Sequence, residues 1–207
     1  EPGRCSPFSP SSRRFLYPLY IAVDQVEGYV PDEREMAESA RLRALPLVDY
    51  AGVANVKLAA LRRIWGATSA KTNEAFLAFA QEGGAALRRH ATFEALSLDM
   101  AAKGHGSGWR QWPSGFRDVD SRDVEQFASE HADEVKFHVW LQWLARRQLA
   151  EAAAVARDAG MRIGLYLDFA VGDAPDGSAT WSDPDLAICT VKIGAPPDLF
   201  SAAGQDW

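Results

Sequence analysis

At 207 residues the chain is long enough for one well-buried core, or one domain with an elaborate insertion. It falls short of the roughly 250 residues of a complete (β/α)8 barrel. Its 22 basic and 28 acidic side chains give a net charge of −6, which excludes the clustered positive surface of a sequence-independent nucleic-acid binder. No run of about 18 apolar residues is present, so no membrane partner is expected, and the two cysteines, Cys5 and Cys189, form no disulfide framework and fit a reducing compartment.

The chain opens at Glu1 rather than Met, and EPGRCSPFSP lacks the basic-then-apolar order of a secretion signal. It reads as an internal piece of a longer protein. Residues 1–18 form a loop whose prolines exclude a helix. Leu19–Val23 reads as a short strand or an extended packed segment. From Pro31 to Gly160 the pattern is helical almost throughout. Pro31 suits a first-turn position, and Asp32, Glu33 and Glu35 suit the positive end of a helix dipole. Asp49 is the expected cap of a helix reaching about Trp65, with Val53, Val56, Leu58, Leu61 and Ile64 on its apolar face. Thr72 is the expected cap of a third helix carrying Phe76, Leu77 and Phe79. Gly83-Gly84 interrupts it, and a fourth helix follows with Leu87, Ala91, Leu96, Leu98 and Met100.

Gly104-His105-Gly106-Ser107-Gly108 is a break without the Lys-Ser/Thr of a phosphate-binding loop. A long helix then runs from about Ser121 or Asp133 to Ala159, on the stripe Val135, Phe137, Trp140, Leu141, Leu144, Ala152 and Val155, with Gly160 as its stop. Arg162–Asp168 is the expected buried strand, and 188–193 a weaker candidate. A helix feeding a strand belongs to an α/β sheet or barrel. The expected division is a loop and short strand at 1–30, a helical insertion at 31–118, and a helix, strand and loop at 119–207.

Asp168 is the strongest single site candidate, because a strand that ends on an acid and enters a polar loop is how α/β barrels build active sites. Asp173, Asp176, Trp181, Asp183 and Asp185 follow, supplying acceptors for hydroxyls and a ring for stacking. Seven tryptophans in the chain suit sugar binding where they are exposed; core packing is their competing use. The four acids lack EF-hand spacing, so a solvated acidic turn is a better alternative than calcium. His131 and His138 are two turns apart on one helix face, and no metal site is expected there or elsewhere. The closing segment 196–207, with Asp, Ser, Gln and Trp after two prolines, suits an ordered loop lying over a ligand.

Four segments, SPFSPSSRRFLYPLYI (6–21), FHVWLQWLARRQLAEAA (137–153), GLYLDFAVGDAPDGSATWSD (164–183) and IGAPPDLFSAAGQDW (193–207), together resemble the 4-α-glucanotransferase family of the α-amylase clan, also called amylomaltases or disproportionating enzymes. The resemblance implies an incomplete piece of a (β/α)8 barrel with a large, mostly helical inserted subdomain, and an α/β parent that uses no cofactor. It implies a cytoplasmic enzyme that moves α-1,4-glucan segments between maltooligosaccharides by a retaining mechanism through a carboxylate nucleophile. Asp168 then corresponds to the acid that ends the third barrel strand and supports sugar binding. Asp198, Ser201, Gln205 and Trp207 correspond to contacts from a loop over the cleft, and Ser6, Pro7 and Phe8 to a Ser-Pro-Tyr signature on the acceptor side. Phe8 departs from the usual Tyr, which removes any contact through that hydroxyl, and Tyr17 stands where Asn is usual. The family's Arg-x-Asp-His nucleophile motif does not occur in these residues, so the isolated chain is expected to be inactive, and exposed barrel edges are expected to favour an artificial dimer. The alternatives are a non-catalytic helical module that binds a glucan or protein through 32–103, and another hydrolase of the same clan.

Overall fold

A computed structural model describes residues 10–67, 71, 73–168, 170, 172–186 and 194–206. The described chain is predominantly helical. Helix α1 (Glu33–Arg43) starts where the Asp32 carboxylate accepts from Glu35 N at 2.7 Å. Pro31 therefore precedes the cap instead of occupying the first turn. Helix α2 (Tyr50–Ala67) starts from Asp49, whose Oδ1 accepts from Gly52 N. Helix α3 (Glu74–Ala102) is capped by Asn73, which accepts from Phe76 N at 3.1 Å. The expected cap, Thr72, lies outside the described residues, and Asn73 takes the role because its carbonyl reaches the third N–H beyond it. α3 bends at Gly84, where φ is 52° and ψ −145°.

After the short α4 (Ser114–Arg117), the long helix expected from Ser121 or Asp133 is two helices, α5 (Arg122–Glu130) and α6 (Ala132–Asp158). The break falls at His131, at φ −109° and ψ 33°; its ring stacks on Phe127 at 4.3 Å. Ser121 caps α5, and Gly160, at φ +79°, ends α6 in the left-handed conformation that glycine adopts without strain.

α3 and α6 form the most extensive helix pair, with α2 and α5 beside them. One core crosses these helices. Trp65, Phe76, Phe137, Trp140 and Trp143 make edge-on and tilted contacts in one part of it. Phe93, Trp112 and Trp181 make a second aromatic cluster, with centroids 5.2–6.2 Å apart. Five of the tryptophans are buried, so core packing absorbs them.

Two expected strands are not present as such. Leu19–Val23 overlaps a 3-10 turn, Pro18–Tyr20, and leads into another, Val23–Gln25. It is a packed segment, with Ile21 and Val23 buried and with Leu19 O, Ile21 O and both backbone groups of Ala22 bonded to side chains. Arg162–Asp168 forms no ladder among the described residues. Ile163 is 86% and Tyr166 93% exposed, where burial on both faces was expected. A strand is held by a neighbour's hydrogen bonds, and the described residues supply none to this segment. Residues 188–193 lie outside the described residues. The only described sheet is the two-residue antiparallel pair β1 (Gly194–Ala195) and β2 (Gln205–Asp206). Among the described residues no helix is long and apolar enough to cross a membrane.

Candidate functional site

The acidic loop and the N-terminal segment meet on one face. Helix α7 (Ser178–Ser182) closes the acidic loop, and Pro10–Arg13 lies across its start. Arg13 donates to Asp173 twice, from its backbone N at 2.6 Å and from Nε at 3.1 Å. Ala174 N donates to Pro10 O, and Ala179 N to Ser11 O. Ser178 N donates to Ser11 Oγ, and Ser11 Oγ donates in turn to Glu94 on α3. The two segments approach so closely that a Cβ on Gly177 would lie 2.6 Å from Ser11 O, which is why glycine stands there.

A buried histidine supports this junction from below. His90 Nδ1 lies 2.6 Å from Ser178 Oγ, and its ring stacks flat on Phe15 at 4.1 Å. Burial pushes its pKa down to about 4, with His138 adding to the shift and Glu94 opposing it, so the ring is neutral at neutral pH. A second polar cluster lies on α6. There, burial favours protonation of Glu134, but His138 and the Arg62 guanidinium outweigh it and hold the carboxyl at about 2. His138 Nε2 lies 3.3 Å from Glu134 Oε1. The expected seven-residue histidine pair thus splits between a ring stack and an ion-pair network.

Asp168 is exposed, Asp173 is tied to Arg13, and Asp176 is buried against Gly108. Asp183 and Asp185 are exposed. Trp181 is not a stacking platform. It is fully buried, and its Nε1 donates to Phe116 O at 2.9 Å, because α7 turns its apolar side into the Phe93–Trp112 cluster.

The closing segment folds as a small hairpin. Asp198 Oδ1 accepts from both Phe200 N and Ser201 N, and Ser201 Oγ donates to Gly204 O. Asp198 and Ser201 therefore come together as a turn, and their first bonds are internal. That turn raises Leu199 and Phe200 to 99% and 98% exposure at its tip. Gln205 lies in β2. Ser6, Pro7, Phe8, Trp207, Cys5 and Cys189 lie outside the described residues.

Sequence reading missed Ser11, Arg13, His90, Glu94, Gln142 and Ser178 as members of this face. A signal was present: His90 and Gln142 interrupt apolar helix stripes, and a buried polar group requires a partner.

A sequence model described as 4-alpha-glucanotransferase matches residues 1–207. The chain is 38% identical over 216 residues to the 4-alpha-glucanotransferase of Mycobacterium tuberculosis, covering all of this chain and 29% of that protein. It is 30% identical to the Haemophilus influenzae 4-alpha-glucanotransferase, covering all of this chain and 32% of that one. The chain thus spans about a third of the length of these curated relatives. Among solved structures, the amylomaltase of Corynebacterium glutamicum superposes with a TM-score of 0.67 at 29% identity, over 98% of this chain and 27% of that one. The Streptococcus agalactiae amylomaltase, solved in complex with acarbose, matches at TM-score 0.70 and 20% identity over 98% of this chain and 41% of its own, a likeness of fold alone. Matched along its full length, the chain belongs to the 4-alpha-glucanotransferase family.

Proposed function

We propose that the parent protein transfers α-1,4-glucan segments between maltooligosaccharides and that these residues form one wall of its sugar site. The observation that carries the reading is the family match over residues 1–207, joined by 38% identity to a named 4-alpha-glucanotransferase. The acarbose bound by the Streptococcus relative supports a glucan as the ligand class. In this reading the parent is a cytoplasmic (β/α)8 barrel without a cofactor. Residues 31–118 belong to its helical insertion, and 119–207 to a barrel helix, strand and covering loop. Asp168 is a supporting acid, while Asp198, Ser201, Gln205, Trp207, Ser6 and Phe8 meet the sugar. The exposed tip Leu199-Phe200 suits the apolar faces of sugar rings. The nucleophile and general acid are supplied by other parts of the parent, so the isolated residues are inactive.

The test is incubation of the full-length parent, and separately of these 207 residues, with maltotriose. The expected result is glucose and longer maltodextrins from the parent and neither from the isolated chain. Products that are only shorter than the substrate identify a hydrolase instead, and longer products from the isolated chain refute its inactivity.

A further inference from the structure

Resting on the glucan-transfer reading, we propose that Gln142, Ser11 and His90 are positioning residues. They lock residues 10–22 as a strap in a single register, and the strap sets the place of the acidic loop.

The lock begins at Gln142, buried on α6. Its Oε1 accepts from Leu16 N at 2.9 Å, and its Nε2 donates to Leu16 O at 2.8 Å. Both halves of one amide thus read both backbone groups of one residue. A slip of the strap by a single residue breaks both bonds at once. Gln148 repeats the device on Ala22, at 2.8 and 2.9 Å. Between them Lys57 from α2 donates to Leu19 O and Ile21 O.

The two clamps are six residues apart on both partners, yet the partners differ in reach. Six helical residues rise about 9 Å and turn about one and two-thirds times round the axis. Six extended residues span about 20 Å. The 3-10 turn Pro18–Tyr20 lies between the two clamped residues and shortens the strap. Length, turn and clamps therefore define one register together. Each bond contributes only about 0.5–1.5 kcal/mol net, so the arrangement adds definition of place more than stability.

That register is passed directly to the candidate site. Arg13, three residues before Leu16, holds the Asp173 carboxylate at two points. Pro10 and Ser11 accept from Ala174 N, Ser178 N and Ala179 N. His90 touches both partners, stacking on Phe15 of the strap and bonding Ser178 of the loop. Glu94, one turn along α3, takes the Ser11 hydroxyl. A misplacement of about 1 Å at a reacting centre can cost about a hundredfold in rate, so the strap's register bears on catalysis without touching sugar.

The experiment uses the full-length parent with maltotriose and the variants Gln142→Met, Ser11→Ala and Ser11→Thr. Transfer and hydrolysis rates, KM and the thermally folded fraction are measured for each. Gln142→Met and Ser11→Ala are expected to lower transfer kcat/KM about tenfold, to raise KM, and to shift product from transfer towards hydrolysis. Ser11→Thr keeps the hydroxyl and restores wild-type behaviour. Transfer and hydrolysis falling together, in proportion to the folded fraction and with KM unchanged, would overturn the proposal by reducing the strap to a structural role. Ser11→Ala removes one half-buried hydroxyl, so it decides the question even if Gln142→Met does not fold. A wild-type parent that makes no longer maltodextrins overturns the glucan-transfer reading itself, and the positioning role with it.

Discussion

His90 makes the chain's stability depend on pH in a window set by one buried ring. Its pKa falls from 6.5 to about 4, chiefly through burial. The unfolded chain therefore takes up this proton below about pH 6.5 and the folded chain only near pH 4. Unfolding free energy should fall between those values, by an amount on the order of 3 kcal/mol. Glu134, lowered from 4.5 to about 2, acts in the same direction at lower pH. Its stabilisation is present above about 4.5 and lost as pH drops towards 2. Urea midpoints of wild type and His90→Gln at pH 7.0 and 4.8 check the first effect: wild type should lose markedly more than the variant, and parallel losses would refute it. Trp181 offers a second test at this scale. It is fully buried against Phe93 and Trp112, with its Nε1 satisfied by Phe116 O. Trp181→Ala should cost about 3–5 kcal/mol in denaturant unfolding. A loss under 1 kcal/mol would show that the ring is not a core element.

Among the elements, α3 depends on its bend. At φ 52° and ψ −145°, Gly84 occupies a region that an L side chain enters only with strain. Nothing lies within 4 Å of the Cβ position, so the cost of Gly84→Ala is conformational, about 1–3 kcal/mol. Circular-dichroism melts should show the loss, whereas a stabilised variant would mean that α3 runs straight. The helix start at Asp49, the interruption at Gly83-Gly84 and the stop at Gly160 were legible in the sequence, since each depends on a residue's own side chain or φ preference, whereas the first helix starts at the Asp32 cap, later than Pro31 suggested. The break between α5 and α6 was not, because His131 carries no strong breaking signal and its turn is supported by a stack on Phe127. The absence of a ladder at 162–168 among the described residues was not legible either, since pairing depends on residues far away in sequence. Asp168 and Asp173 could be read as candidates from the acidic loop. The bond of Asp173 to Arg13 could not, because it joins residues 160 apart.

For the whole molecule, the decisive feature is apolar surface left open on an otherwise well-filled helical core. Met161, Ile163, Tyr166 and Leu167 are all more than half exposed within seven residues. A stretch that joins no ladder among the described residues and carries such side chains is a template for pairing with a second copy. Sedimentation of the isolated chain should therefore show self-association that rises with concentration. Ile163→Lys with Tyr166→Lys should shift it towards monomer, while unchanged association in the double variant would place the contact elsewhere.

The glutamine clamps carry an evolutionary consequence. Gln142 and Gln148 grip main-chain atoms, which every residue type but proline possesses, so the identities of the gripped residues are otherwise free to drift. Tyr17 and Tyr20 project outward from the strap, and a saturation library should accept most replacements there. The same library should reject most replacements at Gln142. Sequence change is thereby channelled to the outer side of the strap, where new sugar or protein contacts can be tried without disturbing the path of the chain beneath.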